Sequence, residues 1–232
     1  MHYVKIESGQ VTEVDRNRYG RITDFSWSPD SKWLTYSKTS DDMQGVVVLY
    51  NLDNKSVTSV TPAYYSSRSP VFDQEGKYLF YVQDRSFTPV YSPYDNTWAY
   101  ANASMIMALP LEKSTPSILL QENDMEEIKE DEKTEENSDT KDKKKGKDDK
   151  EEKEDNDIKI DFDGILTRSE ILPMEGGRYG GMSTAKGKLF YISAKLRGVG
   201  GGSRSGSDLM VFDLKKKESK EVIGGVRGYE LS

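Results

Sequence analysis

One stretch, Phe25–Thr61, decides most of what this chain can fold into: FSWSPDSKWLTYSKTSDDMQGVVVLYNLDNKSVTSVT. It holds a short apolar run at Phe25 and Trp27, a turn at Pro29, Asp30 and Ser31, and a β-rich run Trp33–Ser37. A polar loop, the run Val46–Leu52, an Asp-Asn turn and Val57–Thr61 follow. Alternating β-branched and aromatic residues between turn residues read as strands, so this is a unit of four short strands. The unit recurs. In a second copy Phe72–Lys77 is the turn, Tyr78–Val82 the second strand and Ile106–Leu111 the third; in a third copy Ala185–Lys188 is the turn, with strands Leu189–Ser193 and Leu209–Leu214. Repeated four-stranded units are the signature of a β-propeller. The expected fold is therefore all-β, a β-propeller segment of three full four-stranded blades with partial blades at both ends. Trp33, Tyr78 and Leu189 are expected at equivalent places in neighbouring sheets.

The spacing fixes the blade order. Pro62 precedes Gly76 by the same interval as Pro173 precedes Gly187, so the connections into the second and third blades correspond. That alignment puts the fourth strand of the second blade at about Thr167–Leu172 rather than at Ser117–Leu120. The residues between, Glu122–Asp157, then form an insertion. They carry 18 acidic and 9 basic side chains and no aromatic residue, which accounts for the net charge of -7 and leaves the rest near neutral. Such a tract cannot bury enough surface to offset chain entropy and is expected to be disordered. The expected division is 1–121 for the first propeller stretch, 122–157 for the insertion and 158–232 for the continuation. The insertion is expected on the same face as the turn at Pro29 and Asp30, with the long loops Asp84–Ser104 and Lys195–Ser207 on the other. His2–Asp15 reads as the last two strands of a preceding blade, which implies sequence upstream, and Arg227 to Tyr229 sits where a further blade begins. Open ends of this kind are expected to leave two unpaired sheet edges and to promote self-association.

The residues exclude much chemistry. With no cysteine and a single histidine, His2, neither a Ser-His-Asp nor a Cys-His catalytic set can be assembled, so no catalytic residue is assigned. No metal or cofactor is implied: the carboxylates of the insertion are interleaved with lysines and lack the spacing of a calcium loop. Gly198–Gly206 lacks the Gly-Lys-Ser/Thr ending of a phosphate loop and reads as a flexible connection. No apolar run is long enough for a membrane helix, no basic patch suits nucleic acid, and cytoplasmic and periplasmic locations both stay open. Asp84–Trp98 differs from other loops in combining two prolines, several aromatics and an Asp-Arg pair. Asp84, Arg85, Phe87, Tyr91, Tyr94 and Trp98, with Arg197 from the neighbouring loop, are the candidate contacts for a substrate or partner.

The blade stretch Phe25–Ser37 resembles the propeller repeats of TolB, of prolyl oligopeptidases and of tricorn proteases. Tyr81–Pro89, followed by Trp98, Asn102, Ala103 and Leu109–Leu111, is similar to the second propeller of tricorn-type proteases, as is Ile160–Ile165 followed by Arg168, Leu172 and Pro173. The resemblance covers nearly the whole chain except the charged insertion. It implies a non-catalytic propeller portion of a large serine peptidase, with the catalytic core elsewhere in the polypeptide and the propeller gating or channelling unfolded polypeptide or oligopeptide. The implied partners are such a substrate and the remaining blades and peptidase core, and a homo-oligomer of the full-length protein stays open. A TolB-like protein-binding propeller and the propeller gate of a prolyl-oligopeptidase-type hydrolase are the alternatives.

Overall fold

The computed structural model describes residues 1–100, 102–120, 157–194 and 206–231. The insertion, apart from Asp157, and the loop 195–205 with Arg197 lie outside the described residues.

Three four-stranded antiparallel sheets follow one another. The first is β3 (Ile22–Trp27), β4 (Trp33–Thr39), β5 (Gly45–Asn51) and β6 (Val57–Ser59). The second is β7 (Ser67–Phe72), β8 (Tyr78–Asp84), β11 (Ser104–Pro110) and β12 (Glu170–Ile171). The third is β13 (Tyr179–Ala185), β14 (Lys188–Ala194), β15 (Ser207–Asp213) and β16 (Glu218–Val226). A two-stranded sheet, β1 (His2–Val4) with β2 (Val11–Glu13), precedes them, and β9 (Pro89–Ser92) with β10 (Thr97–Tyr100) forms a separate hairpin.

These strands read as continuous apolar runs because both faces are covered. In β8, Leu79 and Tyr81 pack toward the first blade while Phe80 packs toward the third; in β11, Met107 and Leu109 face one way and Ile106 and Ala108 the other. In β5, Val47 and Leu49 join the seam with the second blade, and Val46, Val48 and Tyr50 join the seam with β1 and β2. Each seam is thus a separate core, made by strands whose period of two sends alternate residues to different neighbours. Full burial of one such side chain contributes about 1.5–3 kcal/mol, so the seams, rather than hydrogen bonds between sheets, hold the blades together.

The fourth strand of the second blade does follow the insertion: β12 pairs with β11, and Leu172 N–H donates to Ile106 C=O at 2.9 Å. It is shorter than expected, because Ile165–Thr167 turns as a 3₁₀ helix beforehand. The returning chain crosses the face of the turn at Pro29 and Asp30: Ile158 N–H donates to Asp30 Oδ2 at 2.9 Å, Lys32 pairs with Asp157, and Phe162 lies 5.8 Å from Trp33.

Two expectations need correction. Trp33 and Tyr78 occupy equivalent places, opposite Asn51 and Pro110, but their counterpart is Lys188, opposite Asp213, and Leu189 matches Leu34 and Leu79. The cause is turn length: Ala185 pairs with Lys188 across two residues, whereas Ser28 and Asp73 reach Trp33 and Tyr78 across four. The blades meet through faces, so an open end leaves a sheet face uncovered rather than an edge. Beyond Val226, the Tyr229 hydroxyl donates to Gly181 C=O at 2.8 Å.

Candidate functional site

Asp84 and Ser104 end β8 and begin β11, and the segment between them rises as the hairpin rather than as the expected loop. Asn96, at φ 53°, supplies the left-handed residue of its turn, and hydrogen bonds from the Ser92 and Thr97 hydroxyls hold the Asp95 carboxyl below its ordinary range.

The candidate residues divide into two groups. Asp84 is consumed by structure: Arg68 on β7 donates to Asp84 Oδ2 at 2.8 Å and to Ser104 Oγ at 2.8 Å, and Ser104 Oγ donates to Asp84 Oδ1 at 2.8 Å. This closed set ties the hairpin's root to the first strand of its blade. The others form an aromatic surface. Arg85 stacks over Tyr65 at 5.3 Å, Tyr65 lies 5.9 Å from Phe87, and Phe87 meets Tyr100 edge-on at 6.4 Å. Farther out, Tyr91 and Trp98 sit 5.1 Å apart across the hairpin, with the Tyr91 hydroxyl donating to Asn96 Oδ1 at 2.6 Å. Phe87, Trp98 and Tyr94 are 61%, 58% and 98% exposed. Aromatic surface of this kind is enriched where proteins and peptides are bound. Tyr65 and Tyr100 belong to it, although sequence reasoning passed over them; Tyr65 is distant in sequence, and Tyr100 followed a stretch already read as loop.

A second region was not singled out at all. The first strands β3, β7 and β13 approach one another while the blades diverge outward, forming a hub. Ser26, Trp27, Pro29, Val71, Phe72, Gln74 and Thr184 enclose a hollow of about 340 Å³ there. Phe25 is 68% exposed beside it. Because each hub strand carries small and polar residues beside its aromatics, periodicity alone does not mark it.

The described residues hold no cluster of metal-binding side chains, and none of their helices is long and apolar enough to cross a membrane. His2 lies on β1 beside Glu13, 3.7 Å away. Three buried tyrosines at one blade position, Tyr36, Tyr81 and Tyr191, are pushed up by burial, Tyr81 to about 12, and stay neutral.

Comparison with known proteins gives one answer. The family model described as the tricorn protease second beta propeller domain matches residues 1–232. Tricorn protease homolog 1 of Streptomyces coelicolor is 29% identical over 236 residues, covering 99% of this chain and 21% of that protein. The tricorn protease of Thermoplasma volcanium is 25% identical over 239 residues, with 99% and 21% covered. The crystal structure of the tricorn protease superposes with a TM-score of 0.72 at 20% identity, covering all of this chain and 21% of that one. The chain therefore spans about a fifth of the length of these relatives.

Proposed function

Because the chain belongs to the family of tricorn protease second β-propeller domains, we propose that it is the non-catalytic propeller portion of a tricorn-like serine peptidase. In this reading it passes unfolded polypeptide or oligopeptide along its hub toward a catalytic core carried elsewhere in the polypeptide. The observation that carries the reading is the convergence of β3, β7 and β13 on one hub lined by Trp27, Val71 and Thr184. In this reading, blades packed through three apolar seams make a rigid frame that selects an extended chain over a folded one, so the propeller contributes selection by shape.

The hairpin face is the second part of the proposal. Arg85, Phe87, Tyr91, Tyr94 and Trp98 contact substrate or a neighbouring part of the peptidase, with Tyr65 and Tyr100 extending the surface, and Asp84 holds the hairpin in position.

The test uses the full-length protein. A bulky maleimide on Trp27→Cys narrows the hub; turnover of a long unfolded substrate should then fall at least about tenfold, as expected when entry is blocked rather than chemistry altered, while turnover of a short peptide is retained. Equal turnover of both substrates before and after labelling overturns the channelling reading.

A further inference from the structure

The first strand of each blade is the edge of its sheet on the hub side. An edge strand presents unpaired backbone groups, and an extended polypeptide running beside it adds as a further strand. A path lined by three such edges would hold its cargo.

All three edges depart from regular pairing at the same place. In β3 the register passes from Thr23 opposite Ser37 to Ser26 opposite Thr35; in β7 from Arg68 opposite Val82 to Val71 opposite Phe80; in β13 from Gly180 opposite Ile192 to Ser183 opposite Phe190. Each strand carries one extra residue, and in each the bulge faces the equivalent buried tyrosine, Tyr36, Tyr81 or Tyr191. The first bulge residue is left-handed in all three: Asp24 at φ 55°, Ser69 at 52° and Gly181 at 53°. A bulge bends the strand and breaks the ladder that a new strand would need.

Neighbouring side chains also take backbone groups along these edges. Asp24 Oδ2 on β3 accepts from Ser69 N–H at 3.2 Å and faces Ser69 Oγ at 3.3 Å. Phe72 C=O on β7 accepts from Thr184 Oγ1 at 2.7 Å, and Gly181 C=O on β13 accepts from the Tyr229 hydroxyl at 2.8 Å. These contacts take two backbone groups on β7 and one on β13, while β3 supplies the Asp24 side chain.

We infer that the hub edges are sealed against strand addition, so that an extended polypeptide slides along them and meets side chains such as Trp27 rather than a backbone ladder. The sliding rests on the channelling reading above; the sealing is a property of the edges themselves.

The experiment uses the full-length protein and a fluorescent peptide of alternating Val and Thr. Deletion of Ser69 restores regular register in β7, and Asp24→Ala frees the Ser69 amide without changing register. Either variant should retain the peptide about tenfold longer than the wild type, the gain expected from new main-chain hydrogen bonds. In Asp24→Ala the Ser69 amide should exchange quickly alone and regain protection with peptide bound. New backbone protection along β3, β7 or β13 in the wild type on adding peptide overturns the inference, as does equal retention by Asp24→Ala and wild type. A peptide carrying a photoreactive group that crosslinks nowhere along the hub counts against channelling. Sealing is then decided by the Ser69 amide alone: protection in the wild type that Asp24→Ala removes supports it, and rapid exchange in the wild type overturns it.

Discussion

The seam between the first and second blades and the seam between the second and third are built from equivalent strands, yet they are closed differently. The first is covered by the chain returning from the insertion: Ile158 and Ile160 pack on its core, Ile165 is buried within it, and Asp161 N–H donates to Leu111 C=O at 2.9 Å. The second is flanked instead by the chain running toward the insertion: Ile118 is buried in its core, and Lys217 donates to Leu120 C=O. Beside it lies a groove of about 480 Å³ lined by Pro173, Met174, Tyr179, Tyr191 and Met210. At the hub a carboxylate, Asp24, bridges the first seam, whereas a neutral hydroxyl, Thr184, bridges the second. The difference shows that a repeated blade specifies the packing of strands but not how each wedge is filled; here the chain entering the insertion fills one wedge and the chain leaving it fills the other.

The largest expected effect tests the two cores directly. Leu109→Ala removes a fully buried side chain enclosed by two blades and the strap, and should cost about 4 kcal/mol, within the range for rigid cavities. Met210→Ala opens toward the groove, where the side chain is only partly buried, and should cost about 1–2 kcal/mol. Urea unfolding of both variants measures the contrast, and equal losses would mean that the strap adds no confinement.

Gly76 and Gly187 isolate the strap more sharply. Both sit in the turn between the first two strands of their blades, at φ 69° and 68°, so an added Cβ meets the same backbone penalty of about 1–2 kcal/mol. A Cβ at Gly187 meets nothing within 4 Å, while at Gly76 it would lie 2.6 Å from Ile158 Cγ1. Gly76→Ala should therefore cost about 1–3 kcal/mol more than Gly187→Ala, as overpacking does. Adding Ile158→Ala to Gly76→Ala should remove most of that excess, which a thermal-unfolding double-mutant cycle reads.

The hub bridges come next. Asp24→Ala breaks charge-assisted bonds to Ser69 and leaves its amide without a partner, at about 1.5–3 kcal/mol. Thr184→Val loses a neutral bond to Phe72 C=O and should cost about 1 kcal/mol. If the two cost the same in urea unfolding, the charge on Asp24 adds nothing to its seam.

How much of this was legible follows from which residues carry period and which carry geometry. The blades were readable because Trp33–Ser37, Tyr78–Val82 and Leu189–Ser193 combine alternation with turn residues at matching intervals. The same interval, Pro62 to Gly76 and Pro173 to Gly187, placed β12 beyond the insertion. The hairpin was not readable: Thr97–Tyr100 exposes both faces, so no alternation marks it. The one-residue offset at Leu189 depended on a two-residue turn that Lys186 and Gly187 share with many longer turns. The hub bulges were hidden because Asp24, Ser69 and Gly181 have backbone geometry in common but no side-chain chemistry. For the site, Asp84 looked available because Arg68, its partner, is on another strand, and only pairing across the blade brings them together.

The smallest effect is a change of slope with pH, and it separates the second blade from the start of the chain. Asp73, buried at the turn of the second blade, has its carboxyl pushed up chiefly by burial and further by Glu75, with hydrogen bonds from the Lys77 and Glu75 backbone and the Lys77 charge opposing. At the corresponding place the first blade has Ser28 and the third has Ala185, neither of which titrates. In the window from 3.8 up to the folded value, the folded chain binds more protons at Asp73 than the unfolded one, so stability falls as pH rises. Asp15 has the opposite sign. Burial pushes its carboxyl up, but hydrogen bonds from Lys38 and Tyr36 outweigh that and leave it below 3.8. Its contribution is present above 3.8 and is lost as pH falls through the folded value. Asp73→Asn should therefore abolish the decline just above pH 3.8 and leave the loss at lower pH intact, while Asp15→Asn should do the reverse. Unfolding midpoints in urea taken across that range read both slopes. An unchanged profile in Asp73→Asn would mean that solvent reaches this turn and that the second blade is no better covered than the third.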